Sequence, residues 1–242
     1  GAALQKSDPS QPVELTPSAP VATGTHGWRA KCLQRLVRLD LPVPRTVALS
    51  FQTVRAIAAG HLPDMSLILA GFGQDPLVSI RPSPENPDWG GPGTILNIGL
   101  NARRHAMLVE SHGQEAADAL YLRFVQAYAI HVARLDPDMF EAAAPSSQAL
   151  QAALRAYRAE TEEPFPEDPA AQLAAALRSM ARAWEGTTAR LLRQAKGAPS
   201  DASLGLIVQD MALGMGQGVS GSGVIQFIDP VTGAARVTGR YL

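Results

Sequence analysis

Three groups of residues could do chemistry by their type and spacing. The first is the glycine-rich stretch 214–223, in which Gly216-Gln217-Gly218-Val219-Ser220-Gly221 fits G-x-G-x-x-G. A dinucleotide fingerprint needs a strand before it and a helix after it, because the pyrophosphate sits on the helix N-terminus. Here the strand-like run Val224-Ile225-Gln226-Phe227 follows. The dinucleotide reading is therefore rejected. The stretch is read as a hairpin connection between two strands, with glycines supplying positive φ. The second group is Arg81 and the loop after it, Pro82-Ser83-Pro84-Glu85-Asn86-Pro87-Asp88-Trp89-Gly90-Gly91-Pro92-Gly93-Thr94. An arginine at a strand end can clamp phosphate oxygens through its fork of donors, and glycine amides can form an anion nest. No Gly-Lys-Ser/Thr follows, so this is not a Walker loop. Prolines at 82, 84, 87 and 92 also remove donors, which leaves an ordinary surface loop as the competing reading.

The third group is the titratable side chains. His26, His61, His105, His112 and His131 form neither H-x-x-x-H nor H-E-x-x-H. His131 continues an apolar helical stripe and is expected to be a partly buried, satisfied histidine. No serine lies in a G-x-S-x-G elbow. Glu160, Glu162, Glu163, Glu167 and Asp168 surround Pro164-Phe165-Pro166; a solvated turn with a helix cap explains them better than a metal site. No metal ligands are assigned.

The elements that must position these groups follow from periodicity. Apolar residues 33, 36 and 37 give a helix from Trp28 that ends before Leu41-Pro42-Val43-Pro44. Thr46-Val47-Ala48-Leu49 suits a strand. Phe51, Val54, Ile57 and Ala58 give a short helix closed by Gly60. Leu77-Val78-Ser79-Ile80 suits a strand running into Arg81, residues 82–93 a loop, and 94–99 renewed order. Residues 115–196 are dense in Ala, Leu, Arg and Gln. Their stripes are Leu120, Phe124, Ala127 and His131, then Leu150, Leu154 and Tyr157, then Leu173, Leu177, Met180 and Trp184. Asp168-Pro169 starts the last of these. Thr187 is expected to cap a further helix that Gly197 ends. Strands are expected at 204–211, 223–228 and 234–238. Residues 1–26 read as an irregular lead-in, with Pro12-Val13-Glu14-Leu15 as a candidate edge strand. No solenoid repeat is present.

The chain has 242 residues, 46% of them hydrophobic, and a formal net charge of −1. That size supports one large domain or two small ones with a sizeable core. The balanced charge gives no reason to expect nucleic acid or an anionic membrane as partner. Cys32 is the lone cysteine, so there is no disulfide framework and no thiolate metal site. No signal-peptide layout and no apolar run of transmembrane length occur. A cytoplasmic protein is the expectation.

Taken in order, several segments resemble a known family. They are Leu-Pro-Val-Pro at 41–44, Leu-Val-Ser-Ile-Arg at 77–81, Thr-Ile-Leu-Asn-Ile-Gly-Leu-Asn at 94–101, Arg-Phe-Val-Gln-Ala-Tyr at 123–128, Phe-Pro-Glu-Asp-Pro at 165–169, Val-Gln-Asp-Met at 208–211, Ser-Gly-Ser-Gly-Val at 220–224 and Asp-Pro-Val-Thr-Gly at 229–233. The set looks like the N-terminal nucleotide-binding domain of pyruvate phosphate dikinase, with phosphoenolpyruvate synthase a more distant relative. The resemblance covers about residues 27–242. It implies an α+β, ATP-grasp-like fold with a helical insertion between two β-containing parts, and it implies ATP and Mg²⁺ as cofactors. In that family the phosphoryl group passes to a histidine on a separate domain and then serves pyruvate on a third.

By the same resemblance Arg81 stands where the family has a phosphate-binding arginine, and Arg29 where it has a lysine. Gly90, Gly91, Gly93 and Thr94 would approach the phosphates, and Gln209, Asp210, Met211 and Ala212 would border adenine. The chain departs from the family in the Pro-rich loop after Arg81, in Trp-Arg-Ala-Lys-Cys-Leu at 28–33, and at Arg240, where an acid that helps hold Mg²⁺ is expected. The expected organisation is a lead-in at 1–26, a β-containing part at 27–104, a helical part at 105–198 and a β-rich part at 199–242 that ends short of the family's domain. The expected function is ATP binding related to phosphoryl transfer, without competence alone. The alternative is an interaction or regulatory domain that has lost ATP and binds a protein partner. A third reading has a separate polypeptide supplying the phosphohistidine.

Overall fold

A computed structural model describes residues 8, 10–141, 144–211, 226–228 and 235–237. In chain order the elements are β1 (Val13–Glu14), α1 (Thr23–His26), α2 (Trp28–Arg38), β2 (Thr46–Leu49), α3 (Phe51–Ala58), α4 (Met65–Leu69), β3 (Val78–Pro84) and β4 (Ile95–Ile98). There follow α5 (Ala102–His112), α6 (Gln114–Ala127), α7 (Ser147–Thr161), α8 (Pro169–Glu185), α9 (Thr187–Ala195), β5 (Leu204–Asp210), β6 (Gln226–Ile228) and β7 (Ala235–Val237). The chain is a mixed α+β protein built on one antiparallel five-stranded sheet of order β1-β2-β5-β3-β4.

Strand β5 is the centre of that sheet. It pairs with β2 from Thr46↔Gln209 to Leu49↔Leu206 and with β3 from Val78↔Asp210 to Pro84↔Leu204. Period two divides its side chains between two cores. Leu204, Leu206 and Val208 join Val47, Leu49, Val78 and Ile80 on one face, beneath the main helical packing. Ile207 and Ala48 point the other way, under Ala30 and Leu33 of α2 and Leu15 and Val21 of the N-terminal segment. Burial on both faces explains why β5 reads as a nearly continuous apolar run.

The main core is aromatic at its helical end. Phe165, in the α7–α8 connection, lies among Tyr121, Phe124, Tyr128 and Tyr157 at ring-centroid distances of 5.2 to 6.2 Å, mostly edge to face. Such rings add about 0.5–1.5 kcal/mol per pair beyond the area they bury. Helix α8 presents Leu173, Leu177, Met180 and Trp184 to this core, as its spacing requires. The Asp168 carboxylate caps it by accepting from the Ala170 amide at 3.0 Å, with Pro169 in the first turn.

Several expectations are corrected. Strand β3 does not stop at Arg81 but continues through Pro84. Pairing with β4 ends at Ile80, so beyond it β3 is an edge where proline's missing donor is harmless. The strand β5 does not form a hairpin with β6, because β2 and β3 already occupy both its edges; β6 pairs with β7. The glycine-rich stretch 214–223 lies outside the described residues. Thr187 is the first residue of α9 rather than its cap, a place taken by Gly186. His131 is exposed, not part of the apolar stripe. Residues 128–132 form a π-helical turn, with the Ala133 amide donating to the Tyr128 carbonyl, and the wider turn rotates the stripe out of phase. Helices α1 and α4 were not anticipated. The candidate edge strand is formed as β1 against β2.

The α5–α6 corner is tied by a buried carboxylate. Asp118 accepts from His105 Nε2 at 2.7 Å, from Gln114 Nε2 at 2.9 Å and from the Ser147 hydroxyl. Burial alone would raise its carboxyl pKa, but the bonds from Ser147, His105 and Gln114 reverse this and hold it below the ordinary value. A depressed carboxyl stabilises the fold above its unfolded pKa of about 3.9, and that stabilisation is lost as pH falls through the folded value. The loss of urea midpoint between pH 6 and pH 3 should therefore be smaller in Asp118→Asn than in the parent. Equal losses in the two proteins would show that this carboxylate is not the acid-sensitive tie.

Candidate functional site

The site residues gather where α1 and α2 meet the sheet. Gly27 joins the two helices at φ +91° and ψ 168°, so that no connecting loop is needed. A Cβ at Gly27 would lie 1.8 Å from the Ser83 carbonyl oxygen, and one at Gly205 would lie 2.4 Å from the His26 carbonyl oxygen. The helix start thus sits directly on backbone of β3 and β5. Because Gly27 has no side chain, α2 lacks a cap of its own; the Ser83 hydroxyl supplies it across space. It accepts from the Ala30 amide at 3.1 Å and donates to the His26 carbonyl at 2.8 Å. His26 is buried, and burial lowers its imidazole pKa.

This junction carries Arg29 to β3. Arg29 Nε donates to the Pro82 carbonyl at 2.9 Å. Arg81, one residue earlier, stands opposite Ile207 in the β3–β5 register, on the face covered by α2. The two arginines predicted to act together therefore share one face and adjacent backbone. The next row along that face is polar and buried: Thr46, Gln209 and Ser79. Gln209 Nε2 donates to Thr46 Oγ1 at 3.0 Å, and Thr46 Oγ1 to the Pro44 carbonyl at 2.8 Å. The Gln209 side chain is thereby committed to the sheet.

The rest of the predicted set is placed elsewhere. The Asp210 amide donates to the Arg45 carbonyl and the Met211 amide to the Leu77 carbonyl, each at 2.9 Å, so both extend the sheet. Asp210 pairs with Val78, on the opposite side of the sheet from Arg81. Burial raises its carboxyl pKa, and Arg104 acts against the rise. Ala212 lies outside the described residues, as does Arg240. After a single 3₁₀ turn at Pro87–Trp89, the loop folds back over the face away from α2. There Gly91 lies against the Pro82 ring and Leu204, and Gly90 lies near Lys196 Nζ. The side-chain position of Gly93 is open, and Thr94 is exposed. Gly90 and Gly91 are thus not on the face that holds Arg29 and Arg81. Ser83 and His26 were missed by sequence reasoning. The only available signal was Ser83's place two residues after Arg81, which period two puts on the same face.

The arrangement suits an anionic group better than a metal. Two guanidiniums on one face offer charge-assisted donors to phosphate oxygens. Among the described residues no cluster of three His, Cys, Asp or Glu side chains could hold a metal ion. The described residues do not themselves form a Mg²⁺ cage. No helix among them is long and apolar enough to cross a membrane.

Comparison with known proteins finds distant similarity to the dikinases. No protein-family model matches the chain. It is 29% identical over 189 residues to pyruvate, phosphate dikinase of Rhizobium meliloti (strain 1021), covering 69% of this chain and 21% of that protein. It is 29% identical over 194 residues to pyruvate, phosphate dikinase of Clostridium symbiosum, covering 71% and 22%. Pyruvate, phosphate dikinase 2 of Oryza sativa subsp. japonica is 26% identical over 255 residues, covering 89% and 28%. These distant homologues support a relationship to the dikinases, and the chain spans between a fifth and three tenths of their length.

Proposed function

We propose that this chain is a pyruvate phosphate dikinase-like nucleotide-binding domain of ATP-grasp type, related to ATP-dependent phosphoryl transfer to a histidine and not competent for that transfer alone. The observation that supports this reading is that Arg29 and Arg81 lie against the same face of the sheet, with Arg29 Nε donating to the carbonyl of Pro82, the residue after Arg81. In this role Arg81 clamps phosphate oxygens. Arg29 braces the strand that holds it and adds positive charge. The sheet residues 27–104 and 199–211 form the nucleotide-facing part, and the helical residues 105–198 buttress it. ATP would supply the phosphoryl group, and Mg²⁺ would enter with the nucleotide's own phosphates.

Calorimetric titration with ATP, with Mg²⁺ and again with EDTA, tests the reading. ATP should bind, and Arg81→Ala should weaken it by about ten-fold or more, because a charge-assisted hydrogen bond is worth about 1.5–3 kcal/mol. Circular dichroism should remain that of the parent. Unchanged affinity in Arg81→Ala would remove Arg81 from the site.

A second reading is favoured by a specific observation. The amides of Asp210 and Met211, expected beside adenine, already donate to Arg45 and Leu77. A domain that has lost ATP and serves as an interaction or regulatory module would have this arrangement. No heat and no thermal shift with ATP, ADP or phosphate would select it.

A further inference from the structure

We infer that the cavity between α5, α6, α7 and the α7–α8 connection binds a small organic carboxylate with an apolar body. The cavity has a volume of about 430 Å³, within the range of small-molecule sites. Its floor is apolar: Tyr121, Leu150, Leu154 and Phe165. Its mouth is cationic. Arg155 and Arg158 are three apart on α7 and so project from the same side of the helix. Among the described residues neither guanidinium is ion-paired with a carboxylate. Among the described residues the one acid on the wall, Glu167, is already engaged. Its Oε2 accepts from the Ala102 amide at 2.8 Å at the start of α5, where the helix dipole offsets its charge.

The inner wall is fixed rather than loose. His105 lines the cavity beside Tyr121, with ring centroids 5.2 Å apart. Asp118 is ionised and can only accept, so His105 Nε2 carries the proton of their 2.7 Å bond. That leaves Nδ1 as the nitrogen of the ring not used by Asp118. The chemistry that matches these walls is a planar or compact hydrocarbon body on the floor and a carboxylate at the arginine fork. A bare oxyanion would leave the floor uncovered, and a neutral ring would leave the arginines unused. This site is separate from Arg29 and Arg81, and its test does not depend on nucleotide binding.

The test is calorimetric titration of the whole chain with benzoate and cyclohexanecarboxylate, with benzamide and inorganic phosphate as controls. One of the two acids should bind with a Kd below about 1 mM and at least about ten-fold more tightly than either control. The double variant Arg155→Gln/Arg158→Gln changes only exposed side chains and should keep the parent circular dichroism. It should lose about ten-fold or more in affinity for the acid. Saturating ATP should leave acid binding unchanged. No binding of either acid, equal binding of benzamide, parent-like affinity in the double variant, or displacement by ATP would each overturn the assignment.

Discussion

Gly27→Ala is expected to destabilise the protein by about 4 kcal/mol or more, enough to unfold a marginal domain. Two costs combine. The backbone at φ +91° and ψ 168° lies in a region that only glycine visits readily. A methyl group there would also fall 1.8 Å from the Ser83 carbonyl oxygen and 2.4 Å from its hydroxyl. The carbonyl is backbone and cannot swing aside, so α2 must lift from β3. Lifting it breaks the Ser83 cap of α2 and the Arg29–Pro82 bond together. Gly24→Ala is the matched control. It lies in α1, and nothing stands within 4 Å of its new methyl group. It should be neutral or stabilising by up to about 1 kcal/mol. Thermal melts of the two variants should differ widely. Gly27→Ala melting with the parent would mean that the helix junction tolerates displacement and that α2 is not held as described.

The second large effect is expected at Gln172, a wholly buried polar side chain in α8. Its Oε1 accepts from the Gly99 amide at 2.8 Å, and its Nε2 donates to the carbonyls of Leu100 at 2.8 Å and Pro166 at 2.7 Å. One amide thus joins three chain segments: the exit of β4, the loop before α8 and α8 itself. Gln172→Ala would leave two buried backbone groups and a half-buried one without this partner and open a cavity. At about 1–3 kcal/mol per unsatisfied group, and allowing for non-additivity, the loss should be about 3–5 kcal/mol. Gln172→Met refills most of the volume without the hydrogen bonds. If the bonds matter most, Met should recover less than half of the loss in urea midpoint. A Met variant as stable as the parent would show that Gln172 acts by packing alone.

Local rules made much of this fold readable. The helix at Phe51–Ala58, the strand at Thr46–Leu49 and the Asp168-Pro169 start of α8 each follow from residues that decide their own conformation. The misreadings occur where a distant segment decides. Pro82 and Pro84 look like a loop until β5 is known to pair with one edge of β3 while β4 leaves the other. His131 leaves its stripe because a π turn changes the period. The same division holds at the candidate site. Arg29 and Arg81 could be named as a pair only through the family resemblance, since 52 residues separate them. That Gly91 folds onto Pro82, away from Arg29, depends on which face of β3 the loop crosses. The His105–Asp118–Ser147 cluster was invisible because α5, α6 and α7 must pack before those side chains meet.

The position of β5 also sets an order of events during synthesis. Strands β1 with β2, and β3 with β4, can form two separate small pairs early. Their inner edges stay open until residues 204–210 leave the ribosome, more than a hundred residues after β4. Helices α5 to α8 make closer-range contacts in the interval and can collapse first. The nascent chain therefore carries two unsatisfied strand edges from the emergence of β3 to that of β5, which is the kind of surface that chaperones cover and that self-associates when they do not. Folding should be slow and governed by arrival of that last central strand, whatever the strength of the helical packing already in place.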